Sequence, residues 1–488
     1  MNARRNRKEL VGGIVAAGVV LFGALTVSGR QSATSVSGIS RAGDKAVATE
    51  EAAAKSDDAN SSAVQQEHKP IAFLTATASD GQVGLTCFKS TPFFEATRKE
   101  KADSVSLRIR RAELPGFRLG RDYDEFFDGL SWQDARIIFE GVIPALNNRK
   151  YVFTDKAVTH GQTYAYWVGT DRAELPTGAA AVRVRDPRVW WSWDETERRL
   201  EALAAEYPGV VETREVGDTV HGRRLRAVLA GRRDRTLVLV GSIHAGESGA
   251  ELIIPAFEKV VREHRELVEK VGLAILPRVN ADGRERLVRG YPPYLRTNSN
   301  GVDLNRNFAG GWETVDHSYG FVTTDPDGMT YRGASPASEP ETMAVVRLVE
   351  GLKPAAVLSY HHVASITGSV FLYPKMAATD SAYVARCQQL NRVYRAAMAP
   401  EDVEKKPVAA VAGCTGGSLP AWIYTQFGAP AFDVEGDSSA ACARSAVDMA
   451  TSEDLKEFQD RHARAVVALL TAIADALADD ARKEGPGE

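Results

Sequence analysis

The chain has 488 residues, enough for several domains at roughly 100 to 200 residues each and for a large core, which excludes a disulfide-held mini-scaffold. Lys and Arg number 60 against 64 Asp and Glu, a net charge of -4, so the basic excess that neutralising many phosphates needs is missing and nucleic acid is excluded as the main partner. At 44% hydrophobic and 25% charged residues the composition is globular, and with a single segment apolar enough for a membrane it excludes multi-pass membrane folds.

That segment comes first. Arg4, Arg5, Arg7 and Lys8 precede an uncharged run from Leu10 to Gly29. Residues 1–29 therefore read as an export segment, either a spanning anchor or a cleavable signal ending at Val27-Ser28-Gly29. Under either reading the basic flank stays in the cytoplasm and the rest is exported: anchored by one membrane pass, or secreted or periplasmic. Residues 30–68 contain no aromatic residue and are rich in Ala, Ser, Asp, Glu, Gln and Lys. Such a stretch buries too little apolar surface to offset the entropy of ordering, and it reads as a disordered linker.

Residues 69–187 switch to short alternating runs: SVSLRIR, ARIIFEGVI, YVFTD, YAYWV and AAVRV, punctuated by turns such as Ser79-Asp80-Gly81 and His160-Gly161. About seven short strands with this spacing predict an all-β, immunoglobulin-like sandwich. The run from Val158 to Val168 resembles the E–F corner of fibronectin type III domains, with Tyr164 in the place of the corner tyrosine.

After Pro187 the pattern changes again, and residues 188–480 form the largest unit. Ser192 and Glu195 make an S-x-x-E capping box ahead of Leu200, Leu203, Ala204 and Tyr207 at helical spacing, and Pro208-Gly209 ends that helix. TLVLVGSIH (236–244) is then a strand, SGAELIIPAFEKVVREH a helix, and VGLAILPRVN (271–280) a strand. SEPETMAVVRLVEGL is a helix, AAVLSYHH (355–362) and APAFDVE (429–435) are strands, and an amphipathic helix runs over about 452–476. Continuous apolar strands alternating with helices predict an α/β domain: a mixed, largely parallel sheet flanked by helices, with its chemistry at the carboxyl ends of the strands.

Two such strand ends carry histidine. His244-Ala245-Gly246-Glu247 follows an apolar strand, and a two-residue gap lets an imidazole and a carboxylate converge on one metal ion. A polar pair ending an apolar run needs a reason to be there. His361 closes the strand AVLSY, with His362 and His317 as alternatives for a third ligand. NRN after Gly301-Val302-Asp303 reads by composition as turn chemistry held by Asp303, and Asn280-Ala281-Asp282-Gly283 as a structural turn.

Taken together these motifs resemble the zinc carboxypeptidases of the carboxypeptidase A type, collinearly over about 189–475. Arg296-Thr297-Asn298 and Gly301 to Phe308 resemble that family's R-x-N and GVDxNRN elements. Ser338-Glu339-Pro340-Glu341 resembles its SEPE helix start, and Leu358-Ser359-Tyr360-His361 its third-ligand strand. Gly416-Gly417-Ser418 through Glu435 resembles the segment ending in its catalytic glutamate. The resemblance selects His361 and implies one Zn2+ per chain held by His244, Glu247 and His361. It further implies Glu435 as general base then acid, Arg296 at the oxyanion, Asn305 and Arg306 on a C-terminal carboxylate, and Leu419 near the side-chain pocket. The family's substrate-capping tyrosine has no counterpart in Val411-Ala412-Gly413-Cys414.

The expected activity is hydrolysis of C-terminal peptide bonds in peptides or proteins. Cell-wall stem peptides are an alternative substrate, a deacylase of amino-acid conjugates a further one, and a non-catalytic peptide-binding relative the reading from another class. The four cysteines are Cys87, Cys387, Cys414 and Cys442. Export would permit disulfides, with Cys414–Cys442 the expected pair and four buried thiols the alternative.

Overall fold

A computed structural model describes residues 74–79, 81–87, 104–114, 131–144, 151–170, 179–247, 249–290, 295–314, 324–361, 369–398, 409–436 and 452–484. The export segment, the linker, His317, His362 and Cys442 lie outside them. The described elements belong to one unit, Glu67–Glu488. Among the described residues no helix is long and apolar enough to cross a membrane.

Seven strands come first: β1 (Leu74–Ser79), β2 (Gln82–Cys87), β3 (Ser104–Glu113), β4 (Arg136–Pro144), β5 (Tyr151–Asp155), β6 (Thr163–Thr170) and β7 (Ala180–Arg183). They form two antiparallel sheets, ordered β1-β2-β5 and β4-β3-β6-β7. Burial along β1 alternates strictly, as the period of a pleated strand requires. Val83 and Leu85 from one sheet meet Leu107, Ile109, Tyr166 and Val168 from the other in a shared core. Arg111 and Tyr166 both bond Asp155 Oδ2, at 2.9 and 3.0 Å, which ties the sheets together with a buried, fully partnered charge. The Tyr164 hydroxyl accepts from Thr159 N–H at 3.0 Å, a bond to the backbone five residues earlier.

The second layer system begins with α1 (Trp193–Glu206), where Glu195 N–H donates to Ser192 Oγ at 3.1 Å, the expected N-cap. There follow β8 (Val211–Asp218), β9 (Arg224–Ala230), β10 (Thr236–Gly241), α2 (Ala250–Glu263), α3 (Arg265–Lys270), β11 (Gly272–Leu276) and α4 (Ala281–Val288). After them come α5 (Pro340–Glu350), β12 (Pro354–Tyr360), β13 (Ser369–Pro374), α6 (Ser381–Met398), β14 (Val411–Cys414), α7 (Leu419–Phe427), β15 (Ala431–Gly436) and α8 (Ser452–Glu484).

Eight strands pair in the order β14-β13-β15-β12-β10-β11-β9-β8. The central four, β15-β12-β10-β11, are parallel, whereas β9 joins β11, and β13 joins β15, antiparallel. The sheet is thus mixed, with a parallel centre and antiparallel flanks. Alternate residues feed two cores: Leu237, Leu239, Leu358 and Phe432 face one set of helices, Val238, Val240, Val357 and Ala431 the other. Both faces are covered, so the strands read as unbroken apolar runs. Because β10, β12 and β15 run side by side in one direction, their carboxyl ends deliver residues to one place.

The sandwich grips α4 through both of its sheets. Ala78 N–H donates to Arg289 O at 2.8 Å and Arg183 N–H to Gly290 O at 2.9 Å, while Arg185 Nη1 donates to Leu287 O at 2.6 Å.

Candidate metal and active site

β10 ends at Gly241, three residues before His244, so the histidine stands on a loop rather than in the strand. The chain turns at Ser242, whose φ is +50°, and folds back onto itself. A Cβ at Gly241 would lie 2.6 Å from Gly249 Cα, so glycine at these two positions is what allows the return. Glu247 N–H donates to His244 O at 3.1 Å, which closes the loop and turns both side chains inward. His361 follows β12 directly, its N–H donating to Val434 O at 3.1 Å.

The three side chains meet. His244 Nδ1 lies 2.8 Å and His361 Nδ1 2.7 Å from Glu247 Oε2, and the two Nδ1 atoms are 3.2 Å apart. All three residues are at most 2% exposed, and among the described residues they form the group that could hold a metal ion. Ligands at ~2.0 to 2.1 Å around a tetrahedral zinc stand about 3.3 Å apart, a spacing that the two Nδ1 atoms meet at 3.2 Å, while Glu247 Oε2 stands closer to each, at 2.8 and 2.7 Å. The donor set fits as well. His244 Nε2 lies 2.9 Å from Asp303 Oδ1 and His361 Nε2 3.1 Å from Asp433 Oδ1. A carboxylate accepts only, so each imidazole carries its proton on Nε2 and turns the Nδ1 lone pair to the common point. Four carboxylates, Glu247, Asp303, Asp433 and Glu435, gather around the two imidazoles, and of these Asp303 feels the guanidinium groups of Arg296 and Arg306, leaving an excess of negative charge that a dication suits.

The charges respond to one another. Burial would raise Asp303, but Arg296, His244 and Arg306 outweigh it and hold this carboxyl far below its ordinary range. Burial opposes a charge on His361, yet Asp433 and then Glu247 outweigh it and raise its pKa, so the neighbours of this ring favour positive charge, which a cation on Nδ1 would supply in place of a second proton. Burial pushes the half-buried Glu435 up to about 7, against the pull of His361 and with the push of Glu247 and Asp433. A carboxyl poised there can take and return a proton near neutrality.

The remaining expected residues surround this point. Arg296 Nε donates to Asp303 Oδ2 at 2.8 Å, which fixes the guanidinium beside the site, and its side chain stays 18% exposed. Asn305 and Arg306 lie in a short 3-10 turn capped by Asp303, whose Oδ1 accepts Asn305 N–H at 3.0 Å. Asn305 is committed at both ends of its amide: Nδ2 donates to Asp433 Oδ2 at 2.9 Å, and Oδ1 accepts Leu419 N–H at 3.0 Å. Leu419 reaches the site through that N–H alone. Its side chain is fully buried with Trp422 and Ile423 in the core on that face of the sheet.

Asn280 caps α4, accepting Gly283 N–H at 3.1 Å, in keeping with a structural role. The SEPE start serves as a clamp: Asn298 Nδ2 donates to Glu339 at 2.7 Å and to Glu341 at 3.0 Å, which locks the loop after Arg296 against α5. Cys414 corrects the expected bridge to Cys442. It is a buried free thiol whose Sγ donates to Leu372 O at 3.0 Å and to Asp433 Oδ2 at 3.3 Å.

Two features escaped the sequence reading. Asp433 is one. Its signal was the alternation Asp433-Val434-Glu435, which puts both carboxylates on one face while Phe432 and Val434 enter the core. The other is a buried ion network behind the metal loop. Arg284, fully buried, donates to Glu251 Oε1 at 2.7 Å and to the carbonyls of Ala245 and Glu247 at 3.2 and 3.3 Å. Arg278 reaches the same Glu251 oxygen at 3.2 Å.

Murein peptide amidase A of Escherichia coli K12 is 45% identical over 71 residues, which is 14% of this chain and 29% of the amidase. The catalytic chain of human carboxypeptidase N is 27% identical over 236 residues, 41% of this chain and 50% of that protein. This chain thus spans half or less of the length of these relatives. Carboxypeptidase A from Helicoverpa armigera superposes with a TM-score of 0.49 at 20% identity, over 59% of this chain and 74% of that one. A model of the family described as zinc carboxypeptidase matches residues 196–447. That span is just over half of the chain and takes in every site residue from His244 to Glu435, so the chain belongs to the zinc carboxypeptidase family.

Proposed function

We propose that this protein is an exported zinc carboxypeptidase that hydrolyses the C-terminal peptide bond of its substrates. The observation that carries the reading is the convergence of His244 Nδ1, Glu247 Oε2 and His361 Nδ1 beside Glu435 and Arg296. Zinc, when held by these three residues, supplies the Lewis acidity that activates water and polarises the scissile carbonyl. Glu435 takes the proton from the attacking water and returns it to the departing amine nitrogen. Arg296, braced by Asp303, stabilises the negative charge that develops on the carbonyl oxygen. Arg306 binds the terminal carboxylate through its planar fork, and Asn305 holds the turn that aims it. The Arg4 to Gly29 segment supports export, and the Tyr164 corner supports a fibronectin type III-like reading of the sandwich.

A second substrate class, cell-wall stem peptides, is favoured by the 45% identity to murein peptide amidase A. One panel separates the readings: ordinary peptides with free or amidated C-termini, and murein tripeptide, each offered to the zinc-loaded chain and to Glu435→Gln. Release from free but not amidated peptides supports the carboxypeptidase. Cleavage of murein peptide alone moves the assignment to the cell wall, and undiminished turnover by Glu435→Gln overturns the mechanism.

A further inference from the structure

We propose that Asp433 is the positioning residue for His361: its carboxylate fixes the imidazole so that Nδ1 faces the metal. The inference rests on the zinc reading above and adds a residue to it. Ser359 on β12 pairs in register with Asp433 on β15, and His361 lies two residues beyond Ser359 on the same side. That offset brings an aspartate oxygen to 3.1 Å from Nε2.

The need for a carboxylate follows from the other neighbours of Nε2, of which Asn305 Nδ2 is the more distant at 3.5 Å and donates to Asp433 at 2.9 Å. Ser359 Oγ also lies 2.9 Å from His361 Nε2, and a hydroxyl can donate or accept, so serine satisfies either tautomer and selects neither. Asp433 accepts only. It therefore keeps the proton on Nε2, leaves the Nδ1 lone pair toward Glu247 and His244, and raises the basicity of the ligand. Asp303 does the same for His244.

The carboxylate is itself held. Oδ2 accepts from Asn305 Nδ2 at 2.9 Å and from Cys414 Sγ at 3.3 Å, and Asn305 is anchored in turn by Leu419 N–H at 3.0 Å. A continuous run of bonds thus joins the start of α7 to the ring of His361, and Asp433 is 6% exposed, so water does not compete for it.

The test compares the full chain with D433N and D433A, with D303N as the matching change at His244. Zinc dissociation constants come from competition with a chelator, and the visible spectrum of the cobalt(II)-loaded protein reports ligand geometry. D433N keeps the side-chain volume, so it carries the test should D433A fail to fold. The expected result is zinc binding weaker by on the order of 10- to 100-fold in D433N, comparable to D303N, with an altered cobalt(II) spectrum. Zinc affinity within about twofold of wild type and an unchanged spectrum in D433N overturn the inference alone. A wild-type chain that takes up no zinc overturns it together with the zinc reading.

Discussion

Arg306 and Asn305 are neighbours in one turn and do different work. Both ends of the Asn305 amide are bonded inside the protein, to Asp433 and to Leu419 N–H, which makes it a strut. Arg306 has its Nη1 on Asn305 O at 2.8 Å, a contact that fixes the plane of the guanidinium. Lysine there keeps the charge but loses the planar fork that matches a carboxylate. Arg306→Lys should therefore raise KM for peptides with a free C-terminus about tenfold and leave kcat nearly unchanged. Steady-state kinetics on free and amidated peptides check this, and an equal loss on both would remove Arg306 from carboxylate recognition. His244 and His361 were legible because each follows an apolar run that has no local use for a polar group, Glu247 because of its two-residue gap after His244, and Glu435 through the family resemblance. Asp433 was not, because its partner Asn305 lies 128 residues away and composition shows no reason for the pairing. Leu419 shows the complementary limit: sequence places a residue near the site, but the helix that starts there turns its side chain into the core.

At the scale of elements, the metal loop depends on α2 and α4, joined by Glu251 between Arg284 and Arg278. Both guanidinium groups are buried, and Arg284 also lies 3.8 Å over the Trp190 ring. Asn280-Ala281-Asp282-Gly283 by itself suggests a turn, whereas residues 281–288 are helical. They form a helix because Asn280 caps it and because Arg284 is drawn into the network, a tertiary cause that no local window contains. Burial would raise Glu251, but Arg284 and then Arg278 outweigh it and hold its carboxyl below the ordinary value. A depressed folded pKa means stability that is present above the unfolded value near 4.5 and lost as pH falls through the folded one. Glu251→Gln removes the carboxylate that both buried guanidinium groups bond, so it should cost about 3 to 5 kcal/mol near pH 7. Its stability should also decline less steeply in acid than wild type. Denaturant unfolding between pH 3 and 7 measures both, and parallel acid slopes in the two proteins would show that Glu251 is not the titrating group.

On the scale of the whole molecule, the sandwich is joined to the element that supports the chemistry. Its two sheets donate to Arg289 O and Gly290 O at the end of α4, the helix whose Arg284 holds the metal-loop carbonyls. Arg296 follows only six residues later. The closeness of this contact is set by Gly290: its φ is +87°, and a Cβ there would lie 2.5 Å from Arg183 O. Any side chain must either strain the backbone or push β7 away. Gly290→Ala should therefore destabilise the protein by at least about 1 to 3 kcal/mol. If the sandwich braces Arg296 through α4, the same substitution should lower kcat in zinc-loaded protein although no catalytic group has changed. Calorimetry and turnover decide between brace and spacer. A lower or split thermal transition together with reduced kcat marks the sandwich as part of the catalytic framework. A lowered transition with unchanged kcat would mean that α4 and Arg296 hold their positions without it.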